Sequence, residues 1–148
     1  MTATTVSGLP ILFSSRRKRF LRVQLERSAR VYRFQIRAWV ILDDHYHLLL
    51  KSRRGEDLPR LIARVHLSTT HQFNLWDGVE TRTVWKPVEA AGLFTSESFW
   101  RAFNGIHLDP LSHGYTGTLG TYRYSSYMYY LQSRGQVWME KCLDRFQY

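Results

Sequence analysis

Two histidines, His45 and His47, lie two positions apart in the stretch His45-Tyr46-His47, and their type and spacing could support metal chemistry. Alternate side chains of a β-strand project from the same face, so the two imidazoles would stand about 7 Å apart on one side of a sheet. Imidazole is a common ligand of divalent metals, and both rings could reach one ion. The spacing therefore predicts a metal site, although strands also carry such pairs as ordinary packing.

The residues around this pair predict an antiparallel β-hairpin. From Val31 to Leu42 apolar side chains alternate with polar ones, which is the period of a strand with one buried face. Asp43 and Asp44 form a turn, because short Asp side chains satisfy turn backbone groups. The segment from His45 to Lys51 returns as the second strand. This register directs the histidines to one face and Tyr46 into the core.

Helices are predicted before and after the hairpin and in the tail. The first begins at a run of basic residues and has an apolar stripe on one side. The second has Pro59 in its first turn, and the third starts at Ser96 and is expected to end at Pro110. The predicted ranges are 16–30, 58–73, 96–110 and 127–146, the last with a break at Gly135.

Two weaker strands complete the predicted architecture: an edge strand from the apolar stretch Leu9 to Phe13, and a short strand within Thr81 to Val88. The order of elements is then strand, helix, hairpin, helix, strand, helix. This order predicts an α+β fold of the ferredoxin-like, split βαβ type, with helices packed on one face of an antiparallel sheet and the other face open to a ligand. We expect one domain over residues 1–148, with 131–148 as a C-terminal helical tail.

The composition favours a nucleic-acid partner. The chain has 21 Lys and Arg against 12 Asp and Glu, a net charge of +9, and 17 of the 21 basic residues are arginine. Guanidinium groups bind phosphate bidentately and stack on bases. Aromatic residues make up 15% of the chain, and flat rings between basic side chains suit exposed bases and backbone phosphates. A basic surface that serves only solubility is the alternative.

The sequence also carries information on the cellular compartment and on membrane association. A single cysteine, Cys142, excludes an intrachain disulfide and favours a reducing cytoplasm. No apolar run approaches the roughly 18 to 20 residues of a membrane span, and residues 1–10 lack the pattern of a secretory signal. We therefore expect a cytoplasmic protein with no membrane partner.

Three sequence blocks resemble the single-tyrosine transposases with a His-hydrophobic-His (HUH) motif, and most closely the REP-associated tyrosine transposases and their relatives of the insertion-sequence-200 type. The first block is Ala38 to Leu50, which contains the hairpin and both histidines. The second is Ile106-His107-Leu108-Asp109-Pro110 followed by His113-Gly114-Tyr115. The third is Tyr122-Arg123-Tyr124-Ser125-Ser126-Tyr127. The blocks occur in the family's order between Tyr32 and about Tyr130, whereas the N-terminal strand matches poorly.

The resemblance implies metal-dependent nicking and strand transfer of single-stranded or hairpin DNA. In the family a tyrosine attacks a phosphodiester and forms a 5′-phosphotyrosine link, which conserves the bond energy for rejoining. His45, His47 and a polar residue of the later helix would hold Mg²⁺ or Mn²⁺, which polarises the phosphate and stabilises developing charge. The family's Asn corresponds to Asp109, and a carboxylate is a good ligand for such a cation.

One position departs from the family pattern. The nucleophilic tyrosine of the family precedes Ile-His-X-Asn-Pro, and Gly105 stands there in this chain. Glycine has no side chain and cannot attack. Several explanations follow: a catalytically inactive, repurposed nucleic-acid-binding module on the same fold, Tyr115 as a substitute nucleophile, a metal-activated water, or a tyrosine from a partner chain. An ordinary ferredoxin-like domain with a structural histidine pair is a further alternative.

Basic residues outside the metal motif are predicted to contact DNA. Two arginine-rich stretches and one histidine of the second block make up this set: Arg16, Arg17, Lys18, Arg19, Arg53, Arg54 and His113. The insertion-sequence relatives are typically dimers and the REP-associated ones include monomers, so the resemblance leaves a homodimer open.

Overall fold

The N-terminal half of the chain forms an antiparallel sheet with two helices on one of its faces. The structure is a computed structural model that describes residues 1–93 and 95–145. Strands β1 (Thr2–Thr4), β2 (Gln35–Ile41) and β3 (His45–Lys51) lie in the order β1-β3-β2. The α+β class and the antiparallel sheet predicted from the sequence are confirmed.

Helices α1 (Ser15–Val31) and α2 (Leu58–Asp77) were both predicted, and both bury an apolar stripe. The Ser14 side chain caps α1 by accepting a hydrogen bond from the backbone N–H of Arg17. Gly78, with φ of 64°, ends α2 in the left-handed conformation that glycine adopts without steric cost. The two helices pack on the sheet face that carries Tyr46 and Leu48.

The opposite sheet face is covered by the second half of the chain, which differs from the predicted open face. Helices α3 (Ser96–Ser112), α4 (Tyr127–Arg134) and α5 (Gln136–Arg145) form a second core with the apolar residues on this side of β2 and β3. The physical reason is that β2 has apolar side chains on both faces. A register irregularity between Ile36 and Ala38 changes which alternate residues of β2 face each side of the sheet.

The two predicted outer strands differ from the observed ones. The first strand is Thr2–Thr4, whereas Leu9 and Phe13 are exposed and do not belong to a strand. Segment 81–88 makes one isolated bridge, which joins Trp85 to Thr5, and Glu89 just after it bridges to Thr2. This segment nevertheless lies beside β1, in the position of the fourth strand of the split βαβ arrangement.

Helix α3 is longer than predicted and carries the second sequence block. Its first turn has a capping box between Thr95 and Ser98. Pro110 lies inside the helix instead of ending it, and His113 still donates its backbone N–H to the Asp109 carbonyl at 3.0 Å. Pro110 cannot donate a backbone hydrogen bond, and the helix continues for only two residues beyond it, to Ser112.

The tail follows the prediction as far as it is described. Helices α4 and α5 are separated at Gly135, which has φ of 84°. The predicted end of the tail at residues 146–148 lies outside the described residues. Among the described helices, none is long and apolar enough to cross a membrane.

Candidate metal centre and DNA-contacting surfaces

Strand β3 and helix α3 bring together the three residues predicted to hold a metal. His45 and His47 project toward α3, with their ring centroids 4.9 Å apart. Asp109, on the helix, is 13% exposed and lies between the rings. Its Oδ2 is 3.3 Å from His45 Nε2 and 3.5 Å from His47 Nε2. The two histidines and the carboxylate therefore meet although more than 60 residues separate them along the chain.

Hydrogen bonds to the second nitrogen of each imidazole fix the ring orientations. His47 Nδ1 is 2.8 Å from the Thr2 hydroxyl, and His45 Nδ1 is 2.6 Å from the Asp44 carboxylate. Both Nε2 atoms are thereby directed at Asp109. Partners of this kind are characteristic of metal-binding histidines, because they select the tautomer that leaves the other nitrogen free for an ion.

The two imidazoles differ in their electrostatic surroundings. Burial lowers the pKa of His47 to about 4, and the nearby Asp109 carboxylate only partly opposes this effect. Burial also acts to lower the pKa of His45, but the hydrogen bonds with Asp109 and Asp44 outweigh it and raise the pKa above its ordinary value. His47 is thus neutral at pH 7, which is the form that binds a metal.

His113, predicted to contact DNA, also lies at this centre. Its Nε2 is 3.4 Å from Asp109 Oδ1, and its ring centroid is 5.2 Å from that of His45. The imidazole is 52% exposed, so it lies at the solvent side of the site. A signal was present in the sequence, because His113 follows Asp109 by four residues and such residues share a helix face. The sequence reasoning instead placed His113 among the residues predicted to contact DNA.

These donors fit a divalent cation. His45, Asp109 and His113 each offer a ligand atom, and the three atoms lie within 4.8 Å of one another. Two imidazole nitrogens and a carboxylate oxygen are a common ligand set for a first-row divalent metal. The arrangement suits an ion better than it suits ordinary packing, because two of its polar side chains, His45 and Asp109, are mostly buried.

A cavity of about 380 Å³ adjoins the metal centre on the side of Gly105. His47, Gly105 and Asp109 line it, together with Glu89 and Leu93 of the segment before α3. Gly105 precedes Asp109 by one helical turn, so both positions face the same region. The position of the family's nucleophile therefore borders the predicted metal site, but this chain offers only backbone there.

Tyr115, the predicted substitute nucleophile, lies beside the hairpin turn. Its hydroxyl accepts a hydrogen bond from the backbone N–H of Asp43 at 3.3 Å. Partial burial, together with the nearby Asp43 and Asp44 carboxylates, raises the pKa of Tyr115. The structure thus brings this phenol next to the turn that leads into His45, in an environment that disfavours its ionised form.

The basic run at the start of α1 is divided between the interior and the surface. Arg17 forms an ion pair with Asp77 and donates to the Ile11 carbonyl at 3.0 Å, and it is only 7% exposed. Lys18 is 5% exposed and pairs with Asp43 at 2.6 Å. These two side chains do not lie where DNA could reach them, unlike the prediction. Arg16 and Arg19 are exposed.

Arg53 and Arg54 are exposed at the far end of the hairpin from the metal centre. They line an open groove of about 900 Å³ between the end of α1 and the end of β3. Three further basic residues, which sequence reasoning did not select, share this groove: Arg33, Arg37 and Lys51. Charge alone could not identify them, because only the fold brings these parts of the chain together.

His107 has a structural role. It is 1% exposed, and its Nε2 is 2.8 Å from the Ser126 hydroxyl. Burial lowers its pKa to about 3, so the ring is neutral and serves to join α3 to the segment before α4. It is therefore not placed among the candidate metal ligands.

Comparisons with known proteins bear on the fold. No protein-family model and no curated protein matches the sequence. A solved structure of a REP-associated tyrosine transposase bound to a REP hairpin is similar to this chain, with a TM-score of 0.73 and 18% sequence identity. The similarity covers 89% of this chain and 77% of that chain. This chain has the fold of a REP-associated tyrosine transposase.

At 18% identity the likeness concerns the course of the backbone. The functional argument therefore depends on the side chains of this chain. Within the transposase fold, those side chains are two imidazoles and a carboxylate in contact, and a glycine one helical turn before the carboxylate.

Proposed function

We propose that this chain binds hairpin or single-stranded DNA at a divalent-metal centre formed by His45, His47 and Asp109, and that it does not form a covalent link to the DNA. The observation that carries the proposal is the approach of both Nε2 atoms to Asp109 Oδ2, at 3.3 and 3.5 Å. The similar transposase is described as bound to a REP hairpin, which supports hairpin DNA as the ligand class.

Each residue of the centre has a definite task in this proposal. His45, His47 and Asp109 hold the cation, while Thr2 and Asp44 orient the two rings through their Nδ1 atoms. When bound, the cation supplies positive charge that attracts and polarises a DNA phosphate. Exposed arginines, Arg16 and Arg19 on α1 and Arg53 and Arg54 at the groove, contact further phosphates.

Gly105 leaves the chain without a nucleophile at the position that the family resemblance indicates. A glycine cannot supply an oxygen for attack on phosphorus, so this position forms no covalent link to DNA. Tyr115 gives a second candidate function, strand transfer with a displaced tyrosine, because its hydroxyl lies 3.3 Å from the backbone of the turn before His45. The raised pKa of Tyr115 argues against this candidate.

Residues 1–148 act as one functional unit in this proposal. Both cores contribute to the centre, since β3 supplies the histidines and α3 supplies the carboxylate. The reducing cytoplasm remains the compartment that the single cysteine favours.

A DNA-binding titration tests the proposal. The probe is a fluorescent DNA hairpin with single-stranded flanks, titrated with the chelator-treated chain with and without Mn²⁺. We expect Mn²⁺ to strengthen binding by the wild type and by Asp144→Ala, an exposed control with the same change in charge, but not by Asp109→Ala. Binding that is absent, or that ignores Mn²⁺ in the wild type, would overturn it.

A denaturing gel of the same mixtures separates the two candidates. We expect no covalent protein–DNA adduct with Mn²⁺. An adduct that Tyr115→Phe abolishes would establish strand transfer by Tyr115 in place of simple binding.

A further inference from the structure

The proposed metal centre has a third imidazole that the His-hydrophobic-His motif does not include. His113 is the residue that follows α3, one turn after Asp109, and its Nε2 is 3.4 Å from Asp109 Oδ1. His45 and His47 approach the other oxygen, Oδ2, from the strand. The carboxylate is therefore contacted by imidazoles from two different elements, the hairpin and the helix end.

The helix beyond Pro110 is what brings His113 to the centre. The backbone N–H of His113 is bonded to the Asp109 carbonyl at 3.0 Å, which keeps the two residues in helical register. Its imidazole and that of His45 lie with centroids 5.2 Å apart. Among residues 1–93 and 95–145, His45, Asp109 and His113 are the one group of at least three His, Cys, Asp or Glu residues whose ligand atoms are all mutually close.

Each of the three imidazoles approaches the Asp109 carboxylate through its Nε2 atom. The Nε2 atoms of His45 and His47 lie 3.3 and 3.5 Å from Oδ2, and that of His113 lies 3.4 Å from Oδ1. Nitrogen donors therefore outnumber the carboxylate, whereas Mg²⁺ prefers oxygen donors and keeps several waters.

We propose that His113 is a ligand of the metal centre, and that this donor set, in which imidazoles outnumber carboxylates, selects Zn²⁺ over Mg²⁺. This inference rests on the proposed metal site but not on its binding to DNA. Imidazole donors suit zinc, copper, iron and nickel, whereas Mg²⁺ is suited by carboxylate, carbonyl and water ligands. A centre with a single carboxylate oxygen offers Mg²⁺ little in exchange for its hydration shell.

Calorimetric titration of the chelator-treated full chain tests this inference. We expect one Zn²⁺ per chain and no measurable heat with Mg²⁺ at the same concentrations. His113→Ala should weaken Zn²⁺ binding by at least the roughly 10- to 100-fold that loss of an outer-shell partner causes. His71→Ala, which removes an exposed histidine of α2, is the matched control and should bind like the wild type.

Co²⁺ gives a second measurement that does not depend on activity. Its visible absorption is intense in four-coordinate sites and weak in six-coordinate ones, so His113→Ala should lose intensity while His71→Ala should not. Because His113 is 52% exposed, the metal-free variant should melt within a few degrees of the wild type.

Two results would overturn the inference. Equal Zn²⁺ affinities of the wild type and His113→Ala would exclude His113 as a ligand, and Mg²⁺ binding as tight as Zn²⁺ binding would exclude the selectivity. Either result leaves the function proposed above intact if Asp109→Ala still abolishes the effect of metal on DNA binding. Failure of the wild type to bind any divalent metal would remove both proposals.

Discussion

At the scale of single residues, Asp109 and Gly105 bear on two different properties of the candidate site: metal binding and covalent attack on DNA. Both lie on the face of α3 that borders the cavity of about 380 Å³, one helical turn apart. Asp109 provides a carboxylate that could bind a cation, whereas Gly105 lacks the side chain that would carry a nucleophile. Binding and covalent chemistry are therefore separable in this chain at one position.

Gly105→Tyr should restore covalent chemistry if the nucleophile is all that the chain lacks. The cavity beside Gly105 offers room for a ring next to His47 and Asp109. We expect a protein–DNA adduct on a denaturing gel with a hairpin oligonucleotide and Mn²⁺. Gly105→Phe, which has the ring without the hydroxyl, should give none. A Gly105→Tyr variant that binds metal and DNA but forms no adduct would show that more than the nucleophile has been lost.

At the scale of elements, neighbouring basic residues of α1 differ in burial: Arg17 and Lys18 are buried, whereas Arg19 is exposed. Arg17 and Lys18 point inward and pair with Asp77 and Asp43, so the start of the helix is tied to the end of α2 and to the hairpin turn. The Lys18 ammonium also lies 5.1 to 5.6 Å from the ring centroids of three tyrosines, Tyr115, Tyr122 and Tyr124. The helix thus positions the turn that precedes His45.

Lys18→Ala should lower the free energy of unfolding by about 2 to 4 kcal/mol, because it leaves the Asp43 carboxylate, which is 29% exposed, without its ion pair. Arg17→Ala should lower it by about 1 to 3 kcal/mol, because the Ile11 carbonyl loses a charged donor while Asp77 keeps its ion pair with Arg82. Arg19→Ala, an exposed neighbour, should change stability by less than about 0.5 kcal/mol. Denaturant titration measures all three, and equal effects at positions 17 and 19 would contradict the assignment.

Helix α2 adds a pH-dependent contribution through His66. Its ring stacks on Trp85 at 4.6 Å, and its Nε2 is 2.9 Å from the Tyr46 hydroxyl. Burial lowers the pKa of His66 to about 4, whereas the unfolded chain has a value near 6.5. The unfolded state therefore binds the proton first as the pH falls, so this part of the stability is present at pH 7 and is lost below about pH 6.5.

Lowering the pH from 7 to 5 should cost about 1 to 2 kcal/mol of unfolding free energy through His66. His66→Gln keeps an acceptor for Tyr46 but does not titrate, so its stability should fall less over the same interval. Denaturant titrations of both proteins at the two pH values provide the comparison. Parallel pH profiles for wild type and variant would refute the role of His66.

At the scale of the whole molecule, the positive charge is divided between the interior and the surface. The net charge of +9 includes buried arginine and lysine that serve the fold, so the surface available to DNA is smaller than the composition indicates. One group of basic residues lines the groove of Arg53 and Arg54. Phosphate contacts there would hold DNA while the metal centre contacts a phosphate elsewhere along the strand.

The salt dependence of DNA binding tests whether the groove of Arg53 and Arg54 contacts DNA phosphates. The slope of log Kobs against log salt decreases in magnitude by about 0.7 for each lost phosphate contact to a single strand. Arg53→Gln with Arg54→Gln should therefore reduce the slope by about 1.4. Arg27→Gln with Arg64→Gln removes the same charge from exposed positions on α1 and α2 and should leave the slope nearer the wild-type value. Identical slopes for both double variants would exclude the groove.

The sequence alone determined the features that depend on local pattern. Alternation and turn residues defined the hairpin and directed His45 and His47 to one face, and apolar stripes defined α1 and α2. Such patterns report which face of an element is apolar, because strand and helix periods are fixed by backbone geometry.

Only the tertiary structure decided which faces meet. It brought Asp109 and His113 from α3 onto the histidines of β3, covered a sheet face that was expected to be open, and turned Arg17 into the interior. These outcomes depend on contacts between segments far apart in the chain, and the period of a single segment holds no information about its partner. The local sequence pattern therefore placed the two histidines on one face of the strand. The carboxylate and the third imidazole join them only in the packed molecule.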